Sequence, residues 1–386
     1  MNFHYRYFFI LFIFLIAACS SEKKDLSTLV DKHVNLAVTQ YKGMITQVPD
    51  ERFPIFFEDD SLVAHGSRSW CSGFYPGTLL YLYEKTGDST LLNEAERTLE
   101  ILEKEQYNTN THDLGFMMFC SFGNAKKIEP KPEYDEIIIK SAKSLASRYS
   151  PEVKSIRSWN SRPEDFLVII DNMMNLEMLF QATKMSGDSS FHDIAITHAN
   201  TTIENHFRND NSSYHVLNYD PETGEIKEKR TEQGLHDESV WARGQAWGLY
   251  GFTMTYRETG IEKYLDQAEK IADFLLSHPN LPEDKVPIWD FSDEEREQRD
   301  VSAGAIMASA LFELHEYLPK KNYQDIAIEI VKTIARDYTN EAGENGNFIT
   351  DESVGHLPKD AEVGVPLIYA DYYFIEALLR MEKIVN

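Results

Sequence analysis

Val301-Ser302-Ala303-Gly304-Ala305-Ile306-Met307-Ala308-Ser309-Ala310-Leu311 carries no charge, and its only polar side chains are two serines. A helix at the surface of a globular protein needs a polar stripe. This run has none, so it must be surrounded by other elements, and its small residues let them come close. Runs of the same kind begin near Trp70, Asp113, Asp171, Trp241 and Pro366, at intervals of about 40 to 70 residues. That spacing is too uneven for a solenoid of identical units, but the pattern recurs.

Most of these runs are followed by a turn and an amphipathic helix. Thr86-Gly87-Asp88 and Ser186-Gly187-Asp188 mark two of the turns; Gly suits a helix end and Asp the next cap. The second helices carry a large apolar residue four places before a second apolar or small one: Leu91 and Ala95, Tyr134 and Ile138, Phe191 and Ala195, Tyr264 and Ala268, Tyr323 and Ala327. The i, i+4 spacing puts each pair on one face. The last apolar helix, from Pro366, has no successor, and an amphipathic helix near Leu26–Tyr41 has no predecessor. Closing the ring joins these two. The expectation is all-α, a single (α/α)6 toroid of six inner and six outer helices, with an open α-solenoid as the alternative.

The 386 residues hold 38 Lys and Arg against 63 Asp and Glu, a net charge of −25. Such a body repels nucleic acid and anionic lipid. Apolar residues at 42% exclude wholesale disorder, and three cysteines cannot frame a disulfide scaffold. Cys71 and Cys120 read as buried small apolar residues. At the N-terminus, Phe8 to Ala18 is an apolar run of eleven following Arg6, too short to span a bilayer and suited to a signal peptide. It ends in Ile16-Ala17-Ala18-Cys19, which resembles a bacterial lipobox. The expected division is a lipoprotein signal peptide at 1–18, a tether at 19–25 beginning with lipidated Cys19, and the toroid at 26–386. This would anchor the protein in the periplasm or at the outer membrane.

In a toroid the loops leading into the inner helices line one end of the central cavity, so polar residues there are the candidates. Asp113 and Asp171 each begin an apolar run, and either alone reads as an N-cap. Two facing one cavity would repel, and burial would raise one pKa, leaving an acid beside a carboxylate. The helix dipole opposes this by about 0.3–1 kcal/mol at each start. Arg243 and Trp247 share a helix face, and a guanidinium fork beside an indole suits a carboxylate-bearing sugar. Trp70 and Trp159 are further candidate stacking walls. No Cys/His cluster has metal-ligand spacing, and no cofactor is expected.

Six motifs in order, Trp70-Cys71-Ser72-Gly73-Phe74-Tyr75-Pro76-Gly77, His112-Asp113-Leu114-Gly115-Phe116, Asp171-Asn172-Met173-Met174-Asn175-Leu176, Thr231-Glu232-Gln233-Gly234, Trp241-Ala242-Arg243-Gly244-Gln245-Ala246-Trp247 and Tyr369-Ala370-Asp371-Tyr372-Tyr373-Phe374, resemble the unsaturated glucuronyl hydrolases of glycoside hydrolase family 88. The resemblance spans about residues 65 to 380 and implies an (α/α)6 barrel. It implies Asp113 and Asp171 as the catalytic pair, with His215, Thr231, Gln233, Arg243, Trp247 and Trp70 around the substrate. The substrates implied are lyase-generated unsaturated uronic-acid oligosaccharides derived from heparin, chondroitin or hyaluronan. A related family acting on unsaturated rhamnogalacturonan products resembles this chain less at Gln245-Ala246. Lys359 and His356 are candidate sulfate contacts, although solvated surface is the plainer reading. Rival classes are a non-catalytic glycan-binding lipoprotein, which would not need both aspartates, and a sugar epimerase, which would use paired histidines.

Overall fold

The computed structural model describes residues 4–295 and 298–385, with side chains over 23–295 and 298–384. Twelve α-helices make up most of it: α1 (His4–Ile45), α2 (Phe74–Thr86), α3 (Ser89–Leu102), α4 (Asn124–Ile128), α5 (Pro132–Ala146), α6 (Leu176–Ser186), α7 (Ser189–Asn205), α8 (Ala242–Thr259), α9 (Glu262–Ser277), α10 (Val301–Tyr317), α11 (Tyr323–Asp337) and α12 (Ile368–Val385).

The apolar runs form the inside. Every residue of α10 from Val301 to Leu314 is buried, as is every residue of α8 from Ala242 to Thr255. α10 lies between α8 and α12, and α12 packs on α2. α2 meets a π-helix at Gly115–Gly123, which touches α6 and the 3₁₀ turn Ile170–Asn175, and these in turn pack on α8. The amphipathic helices back them: α3 on α2, α7 on α6, α9 on α8 and α11 on α10. α1 packs against α12, α2 and α3, joining the two ends of the chain. Of the paired positions, Leu91, Ala95, Ile138, Phe191, Ala195, Tyr264, Ala268, Tyr323 and Ala327 are buried, and Tyr134 is half-buried.

The turns form as their residues dictate. Gly87 and Gly187 adopt left-handed backbone at φ 69° and 75°, which costs a glycine nothing. Asp88 and Asp188 cap the following helices by accepting the N–H groups of Thr90 and Ser190. The start of α1 differs from expectation: residues 19–25, read as a tether, are helical and continuous with the outer helix. The side chains of 4–22, Cys19 among them, lie outside the described residues.

Among the described residues four small antiparallel sheets ride on the helices, and two of them bear on the site. Phe166–Ile169, Val216–Tyr219 and Ile226–Arg230 form a three-stranded antiparallel sheet, and Ser353–His356 pairs with Ala361–Val365 as a hairpin. Neither was visible in the helical periodicity, and both serve the site.

Candidate active site

Neither aspartate is a cap. Asp171 lies inside the 3₁₀ turn that starts at Ile170, and Leu114, rather than Asp113, precedes the π-helix. The carboxylates are therefore not spent on helix ends. Gly115 brings their segments together: a Cβ there would lie 2.5 Å from the Asn175 Cα. Across this contact the Phe116 N–H donates to the Asn175 Oδ1 at 3.1 Å.

The three-stranded sheet places Asp171 beside His215. Ile169 pairs with Val216, and the Ile170 N–H donates to the His215 carbonyl at 3.1 Å. Asp171 leaves one strand just where His215 leads into the next, and His215 Nε2 stands 3.8 Å from Asp171 Oδ2. His215 Nδ1 receives the backbone N–H groups of Glu232 at 3.3 Å and Gln233 at 3.4 Å. A neutral ring that accepts at Nδ1 must carry its proton on Nε2, so an N–H faces Asp171. Burial, then the Arg243 charge, holds the His215 pKa well below its ordinary value. The ring packs on Trp241, centroids 4.4 Å apart, and on the edge of Trp159 at 5.9 Å.

Asp171 is the perturbed acid. Burial pushes its pKa up to about 7; Arg243 pulls it down and the Asp113 charge pushes it up again. Asp171 Oδ2 and Trp247 Nε1 are buried without hydrogen-bond partners among the described residues. Trp247 is held between Phe116 and Tyr373, at 5.1 and 5.3 Å. Trp70 is half-buried against Tyr369 and Phe116. On the far side Asp113 Oδ2 accepts the Thr111 hydroxyl at 2.9 Å.

The 231–240 loop is organised by a carboxylate that sequence reasoning missed. Asp290, fully buried, accepts from the Ser239 hydroxyl at 2.6 Å and from the N–H groups of Leu235 and Val240. Thr231 Oγ1 accepts the Gly234 N–H at 2.9 Å and lies 3.4 Å from His215 Nδ1. The Gln233 amide donates to the Gly355 carbonyl at 2.9 Å, so its nitrogen faces the hairpin.

Arg243 departs from expectation. Its fork does not stand open for a carboxylate: one terminal nitrogen donates to Asp300 Oδ2 at 3.1 Å and to the Val354 carbonyl, and the other to the Gly355 carbonyl at 2.9 Å. It is buried against the rings of Trp241 and Tyr369. Asp300 also caps α10 through Ala303 N–H. Arg243 thus clamps the hairpin to the barrel, and its charge reaches Asp171 without direct contact. Gln245 likewise faces backbone, accepting the Ser213 N–H at 2.8 Å two residues before His215. Lys359 pairs with Glu232 at 3.0 Å and is otherwise exposed, while both ring nitrogens of His356 lack hydrogen-bond partners among the described residues. Cys71 is buried as expected, whereas Cys120 is half-buried; both are free, and desolvation raises their thiol pKa values, which disfavours the thiolate.

Residues 44–383 match Glycosyl Hydrolase Family 88. The chain belongs to this family. It is 45% identical over 384 residues to an unsaturated glucuronyl hydrolase of Formosa agariphila, covering 96% of each chain. An unsaturated chondroitin disaccharide hydrolase of Streptococcus pyogenes is 32% identical over 94% of this chain and 92% of its own. A solved unsaturated glucuronyl hydrolase specific for heparin superposes with a TM-score of 0.89 at 44% identity, covering 92% of this chain and 98% of that one. Asp113, like Asp171, has a histidine alongside: His112 Nε2 is 3.2 Å from Asp113 Oδ1.

Proposed function

We propose that the protein removes the 4,5-unsaturated glucuronyl residue from the non-reducing end of lyase-generated glycosaminoglycan oligosaccharides, within an (α/α)6 toroid closed by α1 against α12. The observation that carries this is Asp171, whose pKa burial pushes up to about 7 and whose buried Oδ2 has no hydrogen-bond partner among the described residues, within the field of the Asp113 charge. An unsaturated uronate is a vinyl ether, which opens by addition of water across its double bond. Asp171 delivers its proton to carbon 4, leaving an oxocarbenium-like centre at carbon 5. The resulting carboxylate takes a proton from water as the oxygen bonds to carbon 5. The hemiketal then collapses, releasing the remaining saccharide and an open keto acid, and Asp171 is again protonated.

The neighbours fit these steps. The His215 N–H faces the oxygen that becomes charged when Asp171 gives up its proton. Asp113 offers negative charge to the developing cation and acceptors to ring hydroxyls. Trp70 and Trp247 supply apolar walls, and Arg243 favours the anionic ring through its field. Heparin- and chondroitin-derived substrates are both represented among the relatives, and a rhamnogalacturonan substrate is the second reading. The Gln245 argument against that reading acts at a distance, since this side chain grips the Ser213 backbone. Lipidation at Cys19, placing the enzyme in the periplasm or at the outer membrane, belongs to the same proposal.

Lyase-digested heparin, chondroitin and hyaluronan, followed by loss of the double bond's ultraviolet absorbance, tests the reading. Turnover in heavy water places one solvent deuterium on carbon 4. Absence of turnover on every digest refutes the assignment and leaves a glycan-binding protein.

A further inference from the structure

His112 precedes Asp113 in the chain and lies beside its carboxylate. Its ring is 1% exposed, and Nδ1 lies 2.9 Å from the Ser158 carbonyl oxygen. A carbonyl has no proton to give, so Nδ1 carries the ring's hydrogen and donates it. The same carbonyl receives an Arg148 N–H at 2.9 Å, which fixes it in place. Burial holds the ring neutral, with the Asp113 charge opposing and the Arg148 charge assisting; His198 is the other titratable group nearby. A neutral ring with its proton on Nδ1 has a bare lone pair on Nε2.

That lone pair faces a site short of a donor. His112 Nε2 is buried and has no hydrogen-bond partner among the described residues. It lies 3.2 Å from Asp113 Oδ1, which receives no hydrogen bond among the described residues, whereas Asp113 Oδ2 is occupied by Thr111. Two acceptors stand side by side with no hydrogen between them, an arrangement that costs free energy until donors arrive. Neighbouring hydroxyls on a pyranose ring present two O–H donors at a similar spacing. Water alone serves this purpose less well, because it has no ring to hold both donors in register.

We infer that His112 is a substrate-binding residue whose Nε2, with Asp113 Oδ1, accepts hydrogen bonds from the adjacent ring hydroxyls of the terminal uronate. The two site histidines are therefore set in opposite tautomers. His215 presents an N–H toward the proton-transferring Asp171, and His112 presents a lone pair toward the sugar. This inference rests on the hydrolase reading for its substrate, but the tautomer itself does not depend on that reading.

The test has two arms on the full chain. In protein labelled with ¹⁵N-histidine, long-range proton–nitrogen spectra, assigned with His112→Phe, are expected to show His112 protonated on Nδ1 and His215 on Nε2. A proton on Nε2 of His112 overturns the inference. In the second arm kcat/KM is measured on an unsaturated disaccharide and on its 2-deoxy and 3-deoxy analogues. His112→Phe is expected to lose about 10- to 100-fold on the parent. His112→Gln, which keeps a carbonyl near the same position, recovers part of that loss. On the analogue lacking the contacted hydroxyl, wild type and His112→Phe become alike. An equal loss on all three substrates means a merely structural histidine and overturns the inference. Should wild type leave the parent disaccharide intact, the hydrolase reading falls, while the spectra still decide the tautomer.

Discussion

Asp171 combines the chemistry of the site with a stability cost. The proton-donor role proposed for it requires the acid form, so kcat/KM is expected to hold below about pH 7 and to fall as pH rises through the Asp171 pKa. Asp171→Asn is expected to lose about 10²–10⁴-fold in turnover, the usual scale for a positioned acid, with its circular dichroism unchanged. Linkage gives a second, independent sign. A carboxyl whose folded pKa lies above the unfolded value of about 3.9 keeps its proton in the native state while the unfolded chain has lost it. Stability therefore declines as pH rises between those two values. The Asn variant has no such loss: its melting temperature should exceed that of wild type at pH 8, and the gap should close toward pH 4. Two aspartates at the starts of apolar helices were legible as a pair because apolar surroundings leave a carboxylate conspicuous. The partners of Arg243 were not legible, since the Val354 and Gly355 carbonyls belong to the backbone and carry no residue identity. From sequence its fork seemed free for a ligand.

At the level of elements, the recurring Gly/Ala-rich runs announced the inner helices because lack of a polar stripe leaves a helix no exposed option. The π-helix at Gly115–Gly123 could not be read the same way: apolar periodicity does not distinguish its winding, and its first residue sits in close contact with Asn175. Gly115→Ala tests that contact. The added methyl meets backbone, so about 1–3 kcal/mol of stability should be lost, with kcat falling more than KM rises as the aspartates move apart. Denaturant melts and steady-state kinetics check both. The Ser353–Val365 hairpin is held in part by one buried cation. Arg243→Met would leave Asp300, itself fully buried, without its counter-charge, a change that typically costs about 3–5 kcal/mol. Limited proteolysis should then cut first between 353 and 365.

Across the whole molecule, charge sets how substrate arrives. A protein of net charge −25 and an anionic sugar repel at long range, and the repulsion is screened over about 10 Å at 0.1 M salt. Raising sodium chloride from about 0.01 to 0.1 M is therefore expected to raise kcat/KM, whereas a site dominated by its own cations would give the opposite slope. An unpaired helix near each end of the sequence predicted that the two would meet, and α1 does pack on α12.

The clamp made by Arg243 and Asp300 separates two jobs that a glycan-processing enzyme must reconcile. The guanidinium grips main-chain oxygens, indifferent to what side chains the hairpin bears. Sequence there can drift to suit a differently decorated second sugar while the proposed acid stays undisturbed. Transplanting this ribbon between relatives of different taste should therefore exchange preference without rebuilding the chemistry.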